Sequence, residues 1–174
     1  MIGLKMRQPT IKDMFHVVRW RNQTLYALRT PYMINFDMQK DYYQSHVVHG
    51  QSRHRLFSFT MLDKNEGVSR PVAFGGLQDI QWENRLAEIS LIVDPAYRGE
   101  GIGKAAVQLI LDYAADILGL RNIWGECYEC NPAMSFWDAL VVKFNGYKTM
   151  IPERKFWEGK FWDSMYFNIP VANV

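Results

Sequence analysis

The sequence predicts an α/β (α+β) fold, with a mixed, mostly antiparallel sheet of six to seven strands flanked by about four helices. Segments with strand alternation and segments with helical spacing follow one another along the chain. A glycine-rich turn at 98–104 joins a strand-like run directly to the strongest helical pattern. A chain of 174 residues can bury about 70% of its unfolded surface. Because no repeat or linker divides it, we expect a single domain over residues 1–174.

Four segments combine helical spacing of apolar residues with signals for helix ends. Thr10 and Asp13 form a start that resembles a capping box, with Asp in place of the usual Glu or Gln. Gly119 ends the strongest helix, whose apolar residues share one face. Pro132 occupies the first turn of the last helix. The predicted helices are 10–22, 37–48, 101–118 and 132–144.

Seven segments have the composition and alternation of strands. Gly75 and Gly76 are paired inside the third strand and predict a bulge or a close approach of another backbone. Residues 26–38 are irregular and aromatic, and 63–70 form a polar turn. The predicted strands are 2–7, 55–62, 72–81, 86–93, 122–130, 147–151 and 161–169.

Composition narrows the classes of partner. Twenty basic residues against 18 acidic ones argue against a nucleic-acid partner. The sequence shows neither a signal peptide nor an apolar run long enough to span a membrane, so we predict a cytoplasmic protein with no membrane partner.

Cys127 and Cys130 have the CxxC spacing, but two further zinc ligands are missing, and both cysteines lie in a predicted strand. We expect reduced thiols and no metal site.

The turn at 98–104, RGEGIGK, has the order of elements that an anion site requires. Glycines let the backbone approach an anion, and the free N–H groups of the following first helical turn point at it with the helix dipole behind them. A P-loop would need Ser or Thr after Lys104, and a dinucleotide fingerprint would need glycine in place of Lys104. The turn therefore predicts a phosphate site of another class.

The pattern Arg98-x-x-Gly101-x-Gly103, preceded by 91–95 (LIVDP), resembles the acyl-CoA pyrophosphate loop of the GNAT superfamily of N-acetyltransferases. The resemblance continues in family order through Asn131 to Gly146. It implies the GNAT fold and acetyl-CoA as co-substrate. The motif Trp20-Arg21-Asn22 places the chain nearest to the ribosomal-protein and nucleotide-sugar acetyltransferase branches.

By resemblance, the coenzyme lies between two splayed strands. The pantetheine arm pairs with the backbone of the strand before the loop, the loop binds the pyrophosphate, and an asparagine flanks the far side of the arm. The residues that the resemblance assigns to the coenzyme are Leu91, Ile92, Val93, Arg98, Gly99, Glu100, Gly101, Ile102, Gly103, Lys104 and Asn131.

Two glutamates are candidates for the general base that takes a proton from the acceptor amine. By resemblance, Glu126 stands where the ribosomal-protein N-terminal acetyltransferases carry their base, and Glu88 stands where other branches place one. Apolar neighbours such as Ile123 and Cys127 are expected to bury Glu126, which we rank first. A cross-strand ion pair is the alternative role for Glu88.

The general acid departs from the family pattern. Most members carry a tyrosine seven residues after the asparagine that corresponds to Asn131, as acid for the coenzyme A thiolate. In this chain that position is Asp138, with Trp137 before it. Tyr128, Tyr166 and a water molecule remain as alternatives.

The acceptor region is predicted to be aromatic and basic, since such groups can stack on a ring or bind an anion. An aromatic core edge or a homodimer contact explains the same residues equally well. The predicted acceptor residues are Trp20, Arg21, Tyr32, Arg154 and Trp157.

The resemblance implies acetyl-CoA-dependent acetylation of a primary amine by direct attack in a ternary complex. A small-molecule or nucleotide-sugar amine is slightly favoured over a peptide N-terminus, because aromatic clusters suit a compact ring. The alternative is a non-catalytic module that binds acyl-CoA, which the missing tyrosine keeps open.

Overall fold

The structure is a computed structural model that describes residues 3–62 and 69–171. Within these residues, seven strands form one sheet in the order β1-β2-β3-β4-β5-β7-β6. Neighbouring strands are antiparallel except β4 and β5, which are parallel. The strands are β1 Leu4–Arg7, β2 Arg55–Leu62, β3 Ser69–Gln81, β4 Leu86–Val93, β5 Asn122–Tyr128, β6 Tyr147–Trp157 and β7 Lys160–Pro170.

Four α-helices flank the sheet in the described part of the chain, which agrees with the predicted number. The second and third continue into one wider turn, Tyr43–Val48 and Tyr113–Ile117 respectively. Two short 3₁₀ turns, Leu25–Ala27 and Pro95–Tyr97, complete the elements. The helices are α1 Asp13–Asn22, α2 Phe36–Tyr42, α3 Ile102–Asp112 and α4 Met134–Lys143.

One half of the capping-box pattern predicted at the start of α1 forms, and the other half does not. The Thr10 side chain does not cap the helix. Instead, the Thr10 N–H donates to the Asp13 carboxylate at 2.7 Å, which also accepts from Ser58 Oγ at 2.8 Å and pairs with both Nη atoms of Arg7 at 2.7 and 2.8 Å. Asp13 is therefore a buried polar anchor that ties α1 to β1 and β2.

Several predicted boundaries shift. Helix α2 begins after Asn35, whose side chain caps it by accepting from the Met38 N–H at 2.9 Å. Helix α4 begins at Met134 rather than at Pro132. Strand β6 continues to Trp157, beyond the predicted end at 151. The predicted strand ended too early because most residues of β6 are exposed and show no alternation of burial that marks a strand. Residue 2 and most of the predicted turn 63–70 lie outside the described residues.

The sheet has a hydrophobic core on each face. Helices α3 and α4 cover one core, which includes Ala87 and Ile89 of β4. Helices α1 and α2 cover the other, which includes Phe74 and Ile92. Because side chains alternate along a strand, Glu88 lies on the face covered by α1 and α2.

Gly75 and Gly76 confirm the predicted close approach of backbones. A Cβ atom on Gly75 would lie 2.1 Å from the Ser90 carbonyl oxygen, and one on Gly76 would lie 2.1 Å from the Arg55 carbonyl oxygen. No side chain fits there without moving the neighbouring strands. Among the described helices, none is both long and apolar enough to span a membrane.

Candidate active site

Strands β4 and β5 separate soon after they begin. They pair in parallel only through Leu86–Asn122, Ala87–Ile123 and Glu88–Trp124. Beyond this point a cavity of about 540 Å³ opens between the turn at 98–104, the start of α4 and the short turn near Ala27. Its lining residues are Thr24, Ala27, Leu28, Leu91, Ile92, Val93, Tyr97, Arg98, Gly99, Gly101, Ile102, Gly103, Lys104, Asn131, Pro132, Ala133, Phe136 and Trp137.

The glycine turn has the backbone geometry that an anion site requires. Gly99 and Gly101 have φ values of 81° and 80°, a left-handed conformation that glycine adopts without strain. Gly101 directly precedes α3, so the amides of the first turn of α3 lack helical acceptors. Lys104 adds a positive charge at the rim of the cavity.

The structure brings together ten of the eleven predicted coenzyme residues as lining of this one cavity. The exception is Glu100, which is exposed and not part of the lining. Asn131 also has a structural task, because its Oδ1 accepts from the Ala133 N–H at 3.0 Å before α4. The coenzyme contacts of these residues stay predictions.

Glu88 and Glu126 lie on the same face of the sheet and share one cation. Their side chains are only 8% and 3% exposed. Arg29 Nη2 lies 2.6 Å from Glu88 Oε1 and 3.3 Å from Glu126 Oε2. The two carboxylates thus form one buried anionic site, and the guanidinium group covers it.

The surroundings of Glu126 are polar, so the predicted apolar flank is wrong. Ser164 Oγ donates to Glu126 Oε1 at 2.8 Å, and Arg154 Nε lies 3.3 Å from the same oxygen. Ile123 and Cys127 belong to the core on the opposite face. Strand alternation separates them from Glu126, although they are its neighbours in sequence.

Ionisation in this region follows burial and charge. Burial opposes the charge of Arg29, but the hydrogen bond and charge of Glu88 and the charge of Glu126 outweigh it and raise the pKa of Arg29. Burial, followed by the charge of Glu126, raises the pKa of the Tyr128 phenol above its usual value of 10.0. Tyr128 is therefore protonated at neutral pH. Burial also raises the pKa of the Cys127 thiol to about 12, so this cysteine is an unreactive thiol.

Asp138 does not occupy the place of the missing tyrosine. Its carboxylate pairs with Lys148 Nζ at the surface, whereas the preceding residue, Trp137, lines the cavity. The helix thus presents an indole on its cavity side, and the N–H of an indole is too weakly acidic to protonate a thiolate.

The predicted acceptor residues differ in their burial and in their contacts. Trp20 is fully buried in the core beneath α1, so its assignment to the acceptor is wrong: an indole packed among apolar side chains cannot meet a ligand. The guanidinium of Arg21 makes no hydrogen bond to any described residue, its Nε atom is buried, and burial lowers its pKa. Tyr32 is exposed. Arg154 contacts Glu126, and Trp157 is half-buried.

Arg29 and Lys155 lie in the aromatic and basic segments, 20–32 and 154–162, that the sequence indicated for the acceptor, whereas Ser164 of β7 was not predicted. Lys155 is buried, its Nζ donates to the carbonyl oxygens of Leu25 (3.4 Å) and Leu28, and burial lowers its pKa. It thereby fixes the closing hairpin to the segment before Arg29.

Comparisons with known proteins agree with this geometry. A model of the acetyltransferase (GNAT) family matches residues 21–140. Spermidine N(1)-acetyltransferase of Vibrio cholerae serotype O1 (strain ATCC 39315 / El Tor Inaba N16961) is 28% identical over 112 residues, which is 64% of this chain and 60% of that protein.

Solved structures with the same fold cover nearly the whole chain. The crystal structure of spermidine N-acetyltransferase from Vibrio cholerae in complex with CoA and spermine has a TM-score of 0.80 at 22% identity, over 97% of this chain and 96% of that one. A dodecameric structure of spermidine N-acetyltransferase from Vibrio cholerae in an intermediate state has a TM-score of 0.77 at 21% identity, over 97% and 94%. The predicted GNAT fold is confirmed. The predicted ribosomal-protein or nucleotide-sugar branch gains no support from these proteins.

Proposed function

We propose that this chain, which belongs to the GNAT acetyltransferase family, acetylates a primary amine of a small polycationic acceptor of the spermidine type. The family membership confirms the predicted enzyme class and acetyl-CoA as acyl donor. The observation that carries this proposal is the buried pair Glu88 and Glu126, which already binds a guanidinium beside the cavity. Two carboxylates favour a cation and disfavour an acceptor that carries phosphates. This argues against the nucleotide-sugar amine that the aromatic residues favoured.

The donor is proposed to occupy the cavity between β4 and β5. The turn at 98–104 and the first amides of α3 bind the pyrophosphate, as free helix N-termini do. Residues 91–93 have no partner in β5, so their backbone can pair with the pantetheine arm. This arrangement brings the thioester to the point where the strands separate, next to Glu88.

We propose direct attack in a ternary complex, with Glu88 as the general base. Glu126 accepts hydrogen bonds from Ser164 and from two arginines, so both of its oxygens are already occupied by donors. Glu88 is bound by Arg29 alone among the described residues. Glu88 takes a proton from the ammonium, the amine nitrogen bonds to the acetyl carbon, and the C–S bond breaks. The protonated Tyr128, next to Glu126, is the proposed acid: it protonates the thiolate, and its phenolate recovers a proton from the nitrogen of the new amide. Glu88 releases the proton that it took to solvent.

A panel of amines tests the proposal. We expect release of coenzyme A from acetyl-CoA with spermidine and 1,4-diaminobutane, together with a mass increase of the amine by one acetyl group. A peptide N-terminus and a nucleotide-linked amino sugar are expected to react at least about tenfold more slowly. Highest activity on the amino sugar would contradict the acceptor class. If acetyl-CoA raises the melting temperature and no amine reacts, the chain is the non-catalytic module.

A further inference from the structure

We propose that Arg29 determines acceptor specificity by occupying the amine position itself, so that an acceptor must displace the guanidinium and dicationic amines are preferred over monocationic ones. This inference rests on the proposed function, in which Glu88 and Glu126 bind the acceptor. It adds an internal competitor to that site.

The contacts of Arg29 are those expected of a bound cation. Nη1 and Nη2 approach Glu88 Oε2 and Oε1 at 3.2 and 2.6 Å, and Nε and Nη2 approach Glu126 Oε2 at 3.4 and 3.3 Å. One guanidinium thus bridges two carboxylates that lie 38 positions apart in the sequence. Any acceptor ammonium that reaches Glu88 must replace at least one of these contacts.

Arg29 covers the carboxylates from the solvent side. Its side chain is 51% exposed, whereas Glu88 and Glu126 are almost fully buried. Removing the guanidinium from the site therefore moves a surface side chain and leaves the hydrophobic core intact. A half-exposed ion pair of this kind is weak enough to be exchanged for another cation.

The backbone next to Arg29 is held at two points with a free stretch between them. Lys155 Nζ binds the carbonyl oxygens of Leu25 and Leu28, and the Asn22 side chain binds both backbone groups of Ile34, at 2.8 and 2.9 Å. Residues 29–33 make no backbone hydrogen bond with any described residue. Within this stretch, the ion pairs of Arg29 join the segment to β4 and β5.

The charges explain the preference for two ammonium groups. When Arg29 leaves, Glu126 Oε1 retains Arg154 and Ser164. Glu88 loses its cation, and Glu126 Oε2 loses the guanidinium that it faced. A monoamine restores one of the two lost contacts. A diamine can place one ammonium at Glu88 and direct the second toward Glu126, so it competes better with the guanidinium.

Calorimetric titration of the coenzyme A complex with 1,4-diaminobutane and with butylamine tests this competition in the wild type and in Arg29→Ala. We expect Arg29→Ala to bind butylamine at least about threefold more tightly and to lower the kcat/KM preference for the diamine by about fivefold, the size of a part-exposed ion pair. Arg29→Lys, which keeps the charge, should lie between the two. Arg53→Ala removes an exposed arginine outside the site and should match the wild type.

Weaker or unchanged amine binding in Arg29→Ala, with a lower kcat, would overturn the inference and make Arg29 a positioning residue for Glu88. That result leaves the proposed function intact, provided that the wild type acetylates the diamine. If the wild type binds the diamine but acetylates no amine, the proposed function fails, and the binding comparison still decides the role of Arg29. If neither protein binds an amine, both proposals fail.

Discussion

On the coenzyme side of the site, ten of the 18 residues that line the cavity come from one contiguous stretch of chain, from β4 through the turn at 98–104 into α3. On the acceptor side, defined by Glu88, Glu126, residues 23–35 and the β6–β7 hairpin, the contacts join side chains far apart in sequence. Arg29 and Glu126 are 97 positions apart, and Lys155 and Leu28 are 127 apart. The coenzyme side depends on backbone geometry, and the acceptor side depends on charge.

The two sides therefore respond differently to change. A backbone site made by glycine conformations and helix amides tolerates many side-chain substitutions around it. A site made of buried charges loses a compensated group with each substitution, and the remaining partner then lacks its counter-charge. We expect variants on the acceptor side to alter turnover and amine binding while acetyl-CoA binding persists, and variants in the turn to do the reverse.

The largest expected effect is on the acceptor side. Glu88→Gln should lower kcat by about a hundredfold near neutral pH, the usual size of a general-base contribution. The thermal stabilisation by acetyl-CoA should remain, because Glu88 is not part of the cavity lining. Stopped assays of coenzyme A release at saturating acceptor measure this loss.

Two variants serve as comparisons for Glu88→Gln. Glu126→Gln should lower kcat less, by about tenfold, if Glu126 binds the acceptor amine without accepting a proton from it. Glu129→Gln removes an exposed carboxylate just beyond β5 and should have no effect. A larger loss in Glu126→Gln than in Glu88→Gln would return the base role to Glu126, as the sequence first suggested.

The same contrast explains what could be predicted from sequence. The turn at 98–104, the strand before it and the helix after it carry local signals. All but Glu100 of the residues that the family resemblance assigns to this stretch line the cavity. The strand Leu86–Val93 was predicted without error, because alternation and turn residues at its ends act over a few positions. Such features need no knowledge of the rest of the fold.

The acceptor side lacked local signals. Trp20 was expected to contact the acceptor, but it is on the buried side of α1, where an aromatic motif and a core residue look alike in sequence. Glu126 was expected among apolar side chains, but its partners are Arg154 of β6, Ser164 of β7 and Arg29 of the segment before α2. Ion pairs of this kind depend on the assembled fold and cannot be read from spacing.

A second prediction concerns the buried Asp13 anchor that ties α1 to β1 and β2. Asp13→Ala removes four hydrogen bonds from a buried carboxylate. It should lower the free energy of unfolding by about 2 kcal/mol. This value is smaller than four fully buried hydrogen bonds would give, because Arg7 is partly exposed and solvent screens its charge. Urea unfolding at pH 7 measures this, with Asp37→Ala, an exposed aspartate at the start of α2, as control.

The pH dependence of that loss has a defined sign. Burial disfavours the charge of Asp13, but the hydrogen bonds from Arg7, Thr10 and Ser58 outweigh it and lower the pKa of Asp13. A depressed carboxyl pKa contributes stability that is fully present above the unfolded value of about 3.9 and is lost as the pH falls through the folded value. The difference between wild type and Asp13→Ala should therefore shrink below about pH 4. A constant difference down to pH 2 would mean that the charge of Asp13 contributes nothing.

A third prediction tests the coenzyme side without straining the turn. Gly101 is unsuitable because its φ of 80° strains any side chain. A Cβ atom on Gly103 would have ordinary contacts, 3.6 Å from Phe136 and 3.8 Å from Val93. Gly103→Leu should thus fold, and its side chain should enter the cavity and raise the KM for acetyl-CoA by about tenfold, or about 1.4 kcal/mol.

The matched control for Gly103→Leu is Ala105→Leu, two residues later on α3 and outside the cavity lining. The control should keep the thermal shift by acetyl-CoA, which Gly103→Leu should largely lose. Amine binding should be equal in both. Equal shifts in both variants would show that the coenzyme does not approach the first turn of α3.

The smallest expected effect separates two neighbouring aromatic residues of β6. Phe156 is 59% exposed and lies against Phe161 at a ring distance of 5.2 Å. Trp157 points to the opposite face, where its ring lies 5.5 Å from Lys155 Nζ, the group that binds the segment before Arg29. Trp157→Ala should raise the acceptor KM by about threefold and leave the KM for acetyl-CoA unchanged, since it removes binding remote from the reacting atoms. Phe156→Ala should change neither constant.

Light scattering on both variants tests the alternative role of the hairpin as a contact between copies of the chain. If Phe156→Ala dissociates an oligomer, the exposed face of β6 and β7 forms that contact. If Trp157→Ala dissociates an oligomer with unchanged kinetics, this tryptophan belongs to that contact rather than to the acceptor side.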